Sequence, residues 1–248
     1  MTGFDSGAIR ALVFDVFGTV VDWRGSIVRE GAALAAAKGL GVDWPTFADA
    51  WRAGYVPAMQ RAMAAGPDGT SAWANIDVLH REILDTLLPR FGLDRLDEAE
   101  RAHLNRVWHR LDPWPDSVRG LRRLKARFTI STLSNGNIAL LVDMAKHAGL
   151  PWDCVLSAEI VRKYKPDPEV YQMAARLLGF EREQVLMVAA HPGDLRGAQR
   201  AGLRTAYVRR PLERGPNPQG AAPPDALADD RFDVVASDFV DLASRLGA

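Results

Sequence analysis

The order in which hydrophobic patterns appear along this chain restricts its fold more than any single motif does. A short apolar run of β-favouring residues, Ala11 to Phe14, stands alone near the start and reads as a strand buried on both faces of a parallel sheet. From residue 23 to residue 111 the pattern is helical. An alanine-rich segment, Ile27 to Lys38, ends at Gly39, which suits a helix C-terminal cap. Asp43-Trp44-Pro45 opens a second helix, with Phe47, Trp51, Tyr55 and Met59 at spacing four, and Gly66-Pro67-Asp68-Gly69 closes it; helices follow near Ser71 to Arg90 and Asp97 to Arg110. Asp112-Pro113-Trp114-Pro115 ends this unit, because its prolines forbid a continuing helix.

Strands and helices then alternate. The pattern predicts helices over 116–126, 138–148, 168–178 and 195–201, and strands over 128–133, 154–157, 184–190 and 205–208. Arg209 to Asp230, rich in Pro, Gly and Ala, reads as a long surface loop before a strand over 232–236 and a helix over 238–246. Such alternation implies an α/β fold with a parallel, doubly wound sheet, into which a separate helical unit is inserted after the first strand.

Composition narrows the partners. At 248 residues and 48% hydrophobic content, the chain can bury a full core as one large domain or two modest ones. Lys plus Arg equal Asp plus Glu at 31 each, which argues against nucleic acid and against a polybasic membrane surface, and leaves a small molecule as the expected partner. Cys154 stands alone, so neither an intramolecular disulfide nor a cysteine metal cluster is expected, and a cytoplasmic location suits it. The first residues lack the basic and apolar regions of a signal peptide, and no apolar run approaches the ~18 residues of a membrane span.

Chemistry-bearing residues collect where the expected strands end. Asp15 terminates the first strand, at the edge where open α/β sheets hold ligands, with Gly18 to turn the chain and Thr19 to supply a hydroxyl. Ser134-Asn135-Gly136 follows the second core strand, and Lys165-Pro166-Asp167-Pro168 fixes a turn before a helix that carries Tyr171. His191 and Asp194 follow the strand Gln184 to Ala190. Structural alternatives stay open: Asp15 could be a polar strand end before a glycine turn, Ser134 and Asn135 could cap the helix near Ile138, Asp194 could cap one starting at Leu195, and His191 beside a proline could be structural, while Lys163 reads as a solvated charge. Trp51, Tyr55 and Met59, at helical spacing, read as core.

Asp15-Val16-Phe17-Gly18-Thr19 resembles the first motif of the haloacid dehalogenase superfamily, in which the leading Asp is a nucleophile. Phosphatases of that superfamily carry a second Asp two residues on to protonate the departing alkoxide; here Phe17 stands there, and losing such an acid removes roughly 10²-fold to 10⁴-fold of rate. A halide needs no proton to leave, and the motif is similar to that of the type II 2-haloacid dehalogenases. Ala190 likewise replaces a carboxylate that helps phosphatases bind Mg²⁺, which implies metal-free, cofactor-free chemistry.

The resemblance covers nearly the whole chain. It implies a Rossmann-like core over residues 1–22 and 112–248, a mobile helical-bundle cap over 23–111, and a family habit of forming homodimers. It also implies roles: Asp15 attacks carbon; Lys165 and Thr19 hold its carboxylate; Ser134 binds the substrate carboxylate; Asn135 and Arg52 receive the halide; Tyr171 and Phe17 belong to the substrate pocket; Asp194 positions water. The expected reaction hydrolyses short 2-haloalkanoic acids to 2-hydroxy acids through an aspartyl ester. Two departures from the family pattern leave the halogen open, fluorine included. His191 stands where an Asn is usual, as a hydrogen-bond donor or a base, and Gly193 replaces an aromatic, which opens the pocket unless Trp23 or a cap aromatic fills it. A Mg²⁺-dependent phosphatase of the same fold and a non-catalytic carboxylate-binding protein are the alternatives; Phe17 and Ala190 speak against the first, Asp15 with Lys165 against the second.

Overall fold

The computed structural model describes residues 4–64, 73–216 and 232–248. Strand β1 (Ala11–Phe14) lies at the centre of a six-stranded sheet with β4 (Thr129–Ser134), β5 (Cys154–Ser157), β6 (Val185–Ala189), β7 (Arg204–Val208) and β8 (Val234–Ala236), in the order β5-β4-β1-β6-β7-β8. Every neighbouring pair is parallel. Because β4 and β6 flank β1 on opposite sides, the connections diverge at β1, and a crevice opens above the carboxyl ends of these three strands.

Side chains alternate across the sheet, and each face has its own apolar layer. Leu12 and Phe14 pack with α5 (Ser117–Lys125), α6 (Ile138–Ala148) and α9 (Phe239–Arg245), whereas Val13 packs with α7 (Pro168–Leu178) and α8 (Pro192–Arg200) on the other side. The expected doubly wound α/β architecture is present. Four helices, α1 (Trp23–Lys38), α2 (Trp44–Met63), α3 (Ile76–Leu87) and α4 (Glu98–Asn105), intervene between β1 and the rest of the sheet, as the helical periodicity required. Asp22, Asp43, Asn75 and Asp97 cap their first turns through side-chain acceptors.

Several boundaries differ from the sequence pattern. Helix α1 begins at Trp23 rather than Ile27 because Asp22 accepts from the Gly25 amide, and α4 passes into a 3₁₀ turn over Arg106–His109. Two short strands, β2 (Val21–Asp22) and β3 (Asp112–Pro113), pair antiparallel where the chain enters and leaves the helical unit. Two residues carry too little periodicity to be read in sequence. The expected turn at Gly66 to Gly69 and most of the long loop lie outside the described residues. The described start of that loop is at the surface at Pro211, Leu212 and Arg214, but Arg210 and Glu213 are buried, the former on Asp116 and the Thr19 carbonyl.

Candidate active site

Asp15 follows β1 directly, so its carboxylate is delivered to the crevice by a strand held on both sides. Gly18 makes the turn beyond it with φ of 82°, in the left-handed region that a side chain disfavours. The turn brings Thr19 back under the carboxylate: its hydroxyl donates to Asp15 Oδ2 at 2.7 Å and accepts from the Ala190 amide at 2.9 Å. Asp15 Oδ2 also accepts from His191 Nδ1 at 2.8 Å, whereas Oδ1 accepts from Lys165 Nζ at 3.0 Å. Oδ1 is therefore the less encumbered oxygen. Burial favours the neutral acid, but Lys165 and His191 outweigh it and hold the Asp15 carboxyl well below the usual range.

Lys165 lies between two carboxylates, reaching Asp194 Oδ2 at 2.5 Å as well as Asp15. Its side chain is only 7% exposed, and although burial opposes its charge, the two anions raise its pKa. The backbone amide of Lys165 donates to Asn135 Oδ1 at 2.8 Å, which leaves the Asn135 amino group facing Met59. Asp194 sits in the first turn of α8, not at its cap. Pro192 opens that helix earlier than the sequence suggested, and His191 occupies the cap position. The Asp194 carboxylate instead accepts from Tyr171 Oη at 2.7 Å, and burial drives its pKa up against the pull of Lys165. Tyr171 thus lines the site but commits its hydroxyl to Asp194.

These groups open on a cavity of about 300 Å³. Its floor carries Asp15, Ser134, Asn135, Lys165, His191 and Asp194, and Phe17 forms part of the wall. Helix α2 supplies the ceiling through Arg52, Tyr55, Val56 and Met59, so Tyr55 and Met59 are pocket residues rather than core alone, while Trp51 is fully buried. Arg52 lies over the Tyr55 ring, 4.5 Å from its centroid, and its Nη1 is buried without a hydrogen-bond partner. An unpaired guanidinium nitrogen at a pocket wall is a ready anion site. Ser134 and Asn135 do not cap α6; Ser134 accepts from the Gly136 amide, and the helix amide of Ile138 goes to Glu159. Lys163 pairs with Asp167 and Glu169, outside the cavity lining.

Trp23 does not fill the space beside Gly193. It is fully buried, stacked on Trp108, and a Cβ at Gly193 would meet nothing within 4 Å. The residue that sequence reasoning missed is Glu213. Its carboxylate accepts from His191 Nε2 at 3.0 Å and from Trp23 Nε1 at 3.0 Å, and it lies so close to Gly18 that a Cβ there would come within 2.2 Å of Oε1. Burial raises the Glu213 pKa, but His191 more than offsets this and brings it to about 2. With a carboxylate on each ring nitrogen, His191 donates from both, which only the imidazolium can do. A base at this position is therefore not what the geometry supplies.

Comparison with known proteins gives a consistent picture. The family model for haloacid dehalogenase-like hydrolases matches residues 9–202. The (S)-2-haloacid dehalogenase 1 of Pseudomonas sp. (strain CBS-3) is 32% identical over 206 residues, which span 82% of this chain and 85% of that protein. A crystal structure of a defluorinating L-2-haloacid dehalogenase is 45% identical, with a TM-score of 0.89 over 100% of both chains. That of the L-2-haloacid dehalogenase from Xanthobacter autotrophicus with chloropropionic acid covalently bound is 26% identical, with a TM-score of 0.77 over 97% of this chain and 99% of that one.

Proposed function

This chain belongs to the haloacid dehalogenase-like hydrolases, and from that membership we propose that it hydrolyses short 2-haloalkanoic acids to 2-hydroxy acids through an ester on Asp15. The observation that carries this reading is the pairing of an ionised Asp15 with the Phe17 ring, where a phosphatase would need a proton donor. Phe17 is 3% exposed and packs edge-on against Tyr55, His80 and Trp108, so the position two residues after Asp15 has no proton to give an oxygen leaving group.

In the proposed route, Asp15 Oδ1 attacks C2 from the side opposite the halogen, and the bonding pair leaves with the halide toward Arg52 and the Asn135 amino group. Attack from behind inverts the carbon. Lys165 keeps Asp15 ionised before attack, and Asp194, held by Lys165 and Tyr171, takes a proton from the water that cleaves the ester. Support for the ester route comes from the Xanthobacter autotrophicus relative, whose crystal structure holds chloropropionic acid covalently. The open space at Gly193 and the likeness to a defluorinating enzyme bring fluoroacetate into the proposed range alongside chloroacetate.

Residues 23–111 act in this proposal as a cap whose helix α2 closes over bound substrate and excludes water. A cytoplasmic location fits the free thiol of Cys154, and a homodimer belongs to the same proposal, to be decided by sedimentation. Among the described residues, no helix is long and apolar enough to cross a membrane. The function is tested by following halide release from chloroacetate and 2-chloropropionate beside phosphate release from a generic phosphate ester, each with and without EDTA. Halide release indifferent to EDTA is expected. EDTA-sensitive phosphate release without halide would favour the phosphatase, and neither product would favour a binding protein.

A further inference from the structure

The loop after β7 returns a carboxylate to the crevice, where His191 bridges it to Asp15: Nδ1 lies 2.8 Å from Asp15 Oδ2, and Nε2 lies 3.0 and 3.1 Å from the two oxygens of Glu213. Building on the ester route above, we infer that His191, kept protonated by Glu213, donates the hydrogen bond that stabilises the oxyanion formed at Asp15 Oδ2 during ester hydrolysis, and that Glu213 is its positioning residue.

The two half-reactions assign different work to the two Asp15 oxygens. In the first, Oδ1 forms the bond to carbon, the carbon–halogen pair departs with the halide, and Oδ2 becomes the ester carbonyl oxygen. In the second, water oxygen adds to Cγ, its proton passes to Asp194, and the carbonyl π pair moves onto Oδ2. Collapse returns that pair to the carbonyl and breaks the Cγ–Oδ1 bond; the departing oxygen takes the proton from Asp194 and leaves in the hydroxyl of the product, and the second water proton, left on the regenerated Asp15 carboxyl, passes to solvent and restores the ionised nucleophile. Thr19 Oγ1 at 2.7 Å and His191 Nδ1 at 2.8 Å both lie within the range required of oxyanion donors.

Esterification removes the negative charge of Asp15 and with it one of the two anions that favour the imidazolium. Glu213 is then the carboxylate still hydrogen-bonded to the ring. The other charged groups around the crevice are Lys165 and Arg52, which oppose a cation, and Asp194, which is committed to Lys165 and Tyr171. Without Glu213 the ring would face two cations at the moment its proton is needed. In the free enzyme, burial pushes His191 toward its neutral form, but the Glu213 charge and the bond to Asp15 overcome this and raise its pKa to about 10. Trp23 Nε1 and the close approach of Gly18 hold the Glu213 carboxylate in register.

The test is a rapid-quench single turnover of chloroacetate by wild type, Glu213→Gln and Glu213→Asp, following halide for the first step, glycolate for the second, and the protein ester by mass spectrometry. Glutamine keeps a hydrogen-bonding group and removes the charge. In Glu213→Gln, ester hydrolysis should slow by about tenfold to 10²-fold, clearly more than halide release, so that ester accumulates, increasingly so as pH rises; Glu213→Asp should recover part of that loss. Equal slowing of both steps, or hydrolysis with an unaltered pH profile, would overturn the inference. Absence of halide release in the wild type would overturn the dehalogenase reading and this inference together, whereas wild-type activity with no partition effect overturns this one alone. Should Glu213→Gln fail to fold, the His191 ring resonance of the wild type decides: a protonated shift maintained through pH 8 supports the inference, and a midpoint near 6.5 contradicts it.

Discussion

Lys165 shows how finely the charges balance at the scale of a residue. Its ammonium satisfies two buried carboxylates at once, so Lys165→Met would leave Asp194 without a cation and Asp15 with His191 alone, and a loss of about 3–5 kcal/mol is expected in urea unfolding together with loss of halide release. The pH dependence of activity follows from the carboxylates. Asp15 is held low and stays ionised, while Asp194 is raised and must be ionised to accept a proton, so the acid limb should track Asp194. The Tyr171 hydroxyl favours the Asp194 carboxylate, and Tyr171→Phe should therefore move the acid limb of the hydrolysis step to higher pH; an unmoved limb would assign it to another group. Gly193 is a contrasting case, since nothing lies within 4 Å of the missing Cβ and the residue is not in the left-handed region. Gly193→Ala should leave stability unchanged or raise it by about 0.4–1 kcal/mol, while narrowing the cavity and shifting preference toward the smaller haloacetates over 2-chloropropionate.

At the scale of elements, Phe17 ties the end of β1 to α2, α3 and the turn before β3 through its contacts with Tyr55, His80 and Trp108. Phe17→Asp, which restores the carboxyl that phosphatases use, would bury a charge among aromatic rings; a loss of about 3–5 kcal/mol in urea unfolding is expected, with no gain of phosphate release. A stable variant that turned over phosphate esters would contradict the role given to this ring. Elements that bury a periodic face were legible in sequence: the alternation after residue 116 and the apolar spacing of α2 both led to the observed strands and helices. What misled was local chemistry with two solutions. Asp194 has the composition of a cap, but Pro192 starts α8 earlier, and that shift turns its carboxylate toward Lys165. Tyr55 and Met59 fit a core stripe, and only the placement of α2 above the strand ends makes them a ceiling.

Over the whole molecule, contacts between distant segments were the part that sequence could not convey. Glu213 sits 190 residues from Trp23 and 22 from His191, in a stretch whose Pro and Gly content signals only a loop, so nothing periodic marks its return to the crevice. The strand-end residues Asp15, Ser134, Lys165 and Asp194 were legible because a parallel sheet gathers its carboxyl ends at one edge. The buried pairs also shape global stability. His191 titrates at about 10 in the fold against an ordinary 6.5, so its contribution is fully present below pH 6.5 and is lost as pH rises toward 10. Glu213 titrates at about 2 against 4.5, so its contribution is present above pH 4.5 and is lost as pH falls toward 2. Urea midpoints should therefore fall on the alkaline side between pH 6.5 and 10, and less steeply in His191→Gln; identical slopes would contradict this linkage. The central claim, that carbon is attacked by a carboxylate of the protein and not by water, is tested most directly by one turnover of chloroacetate in ¹⁸O-water with enzyme in excess. The account predicts unlabelled glycolate and label in the peptide containing Asp15; labelled glycolate with an unlabelled Asp15 peptide would contradict it.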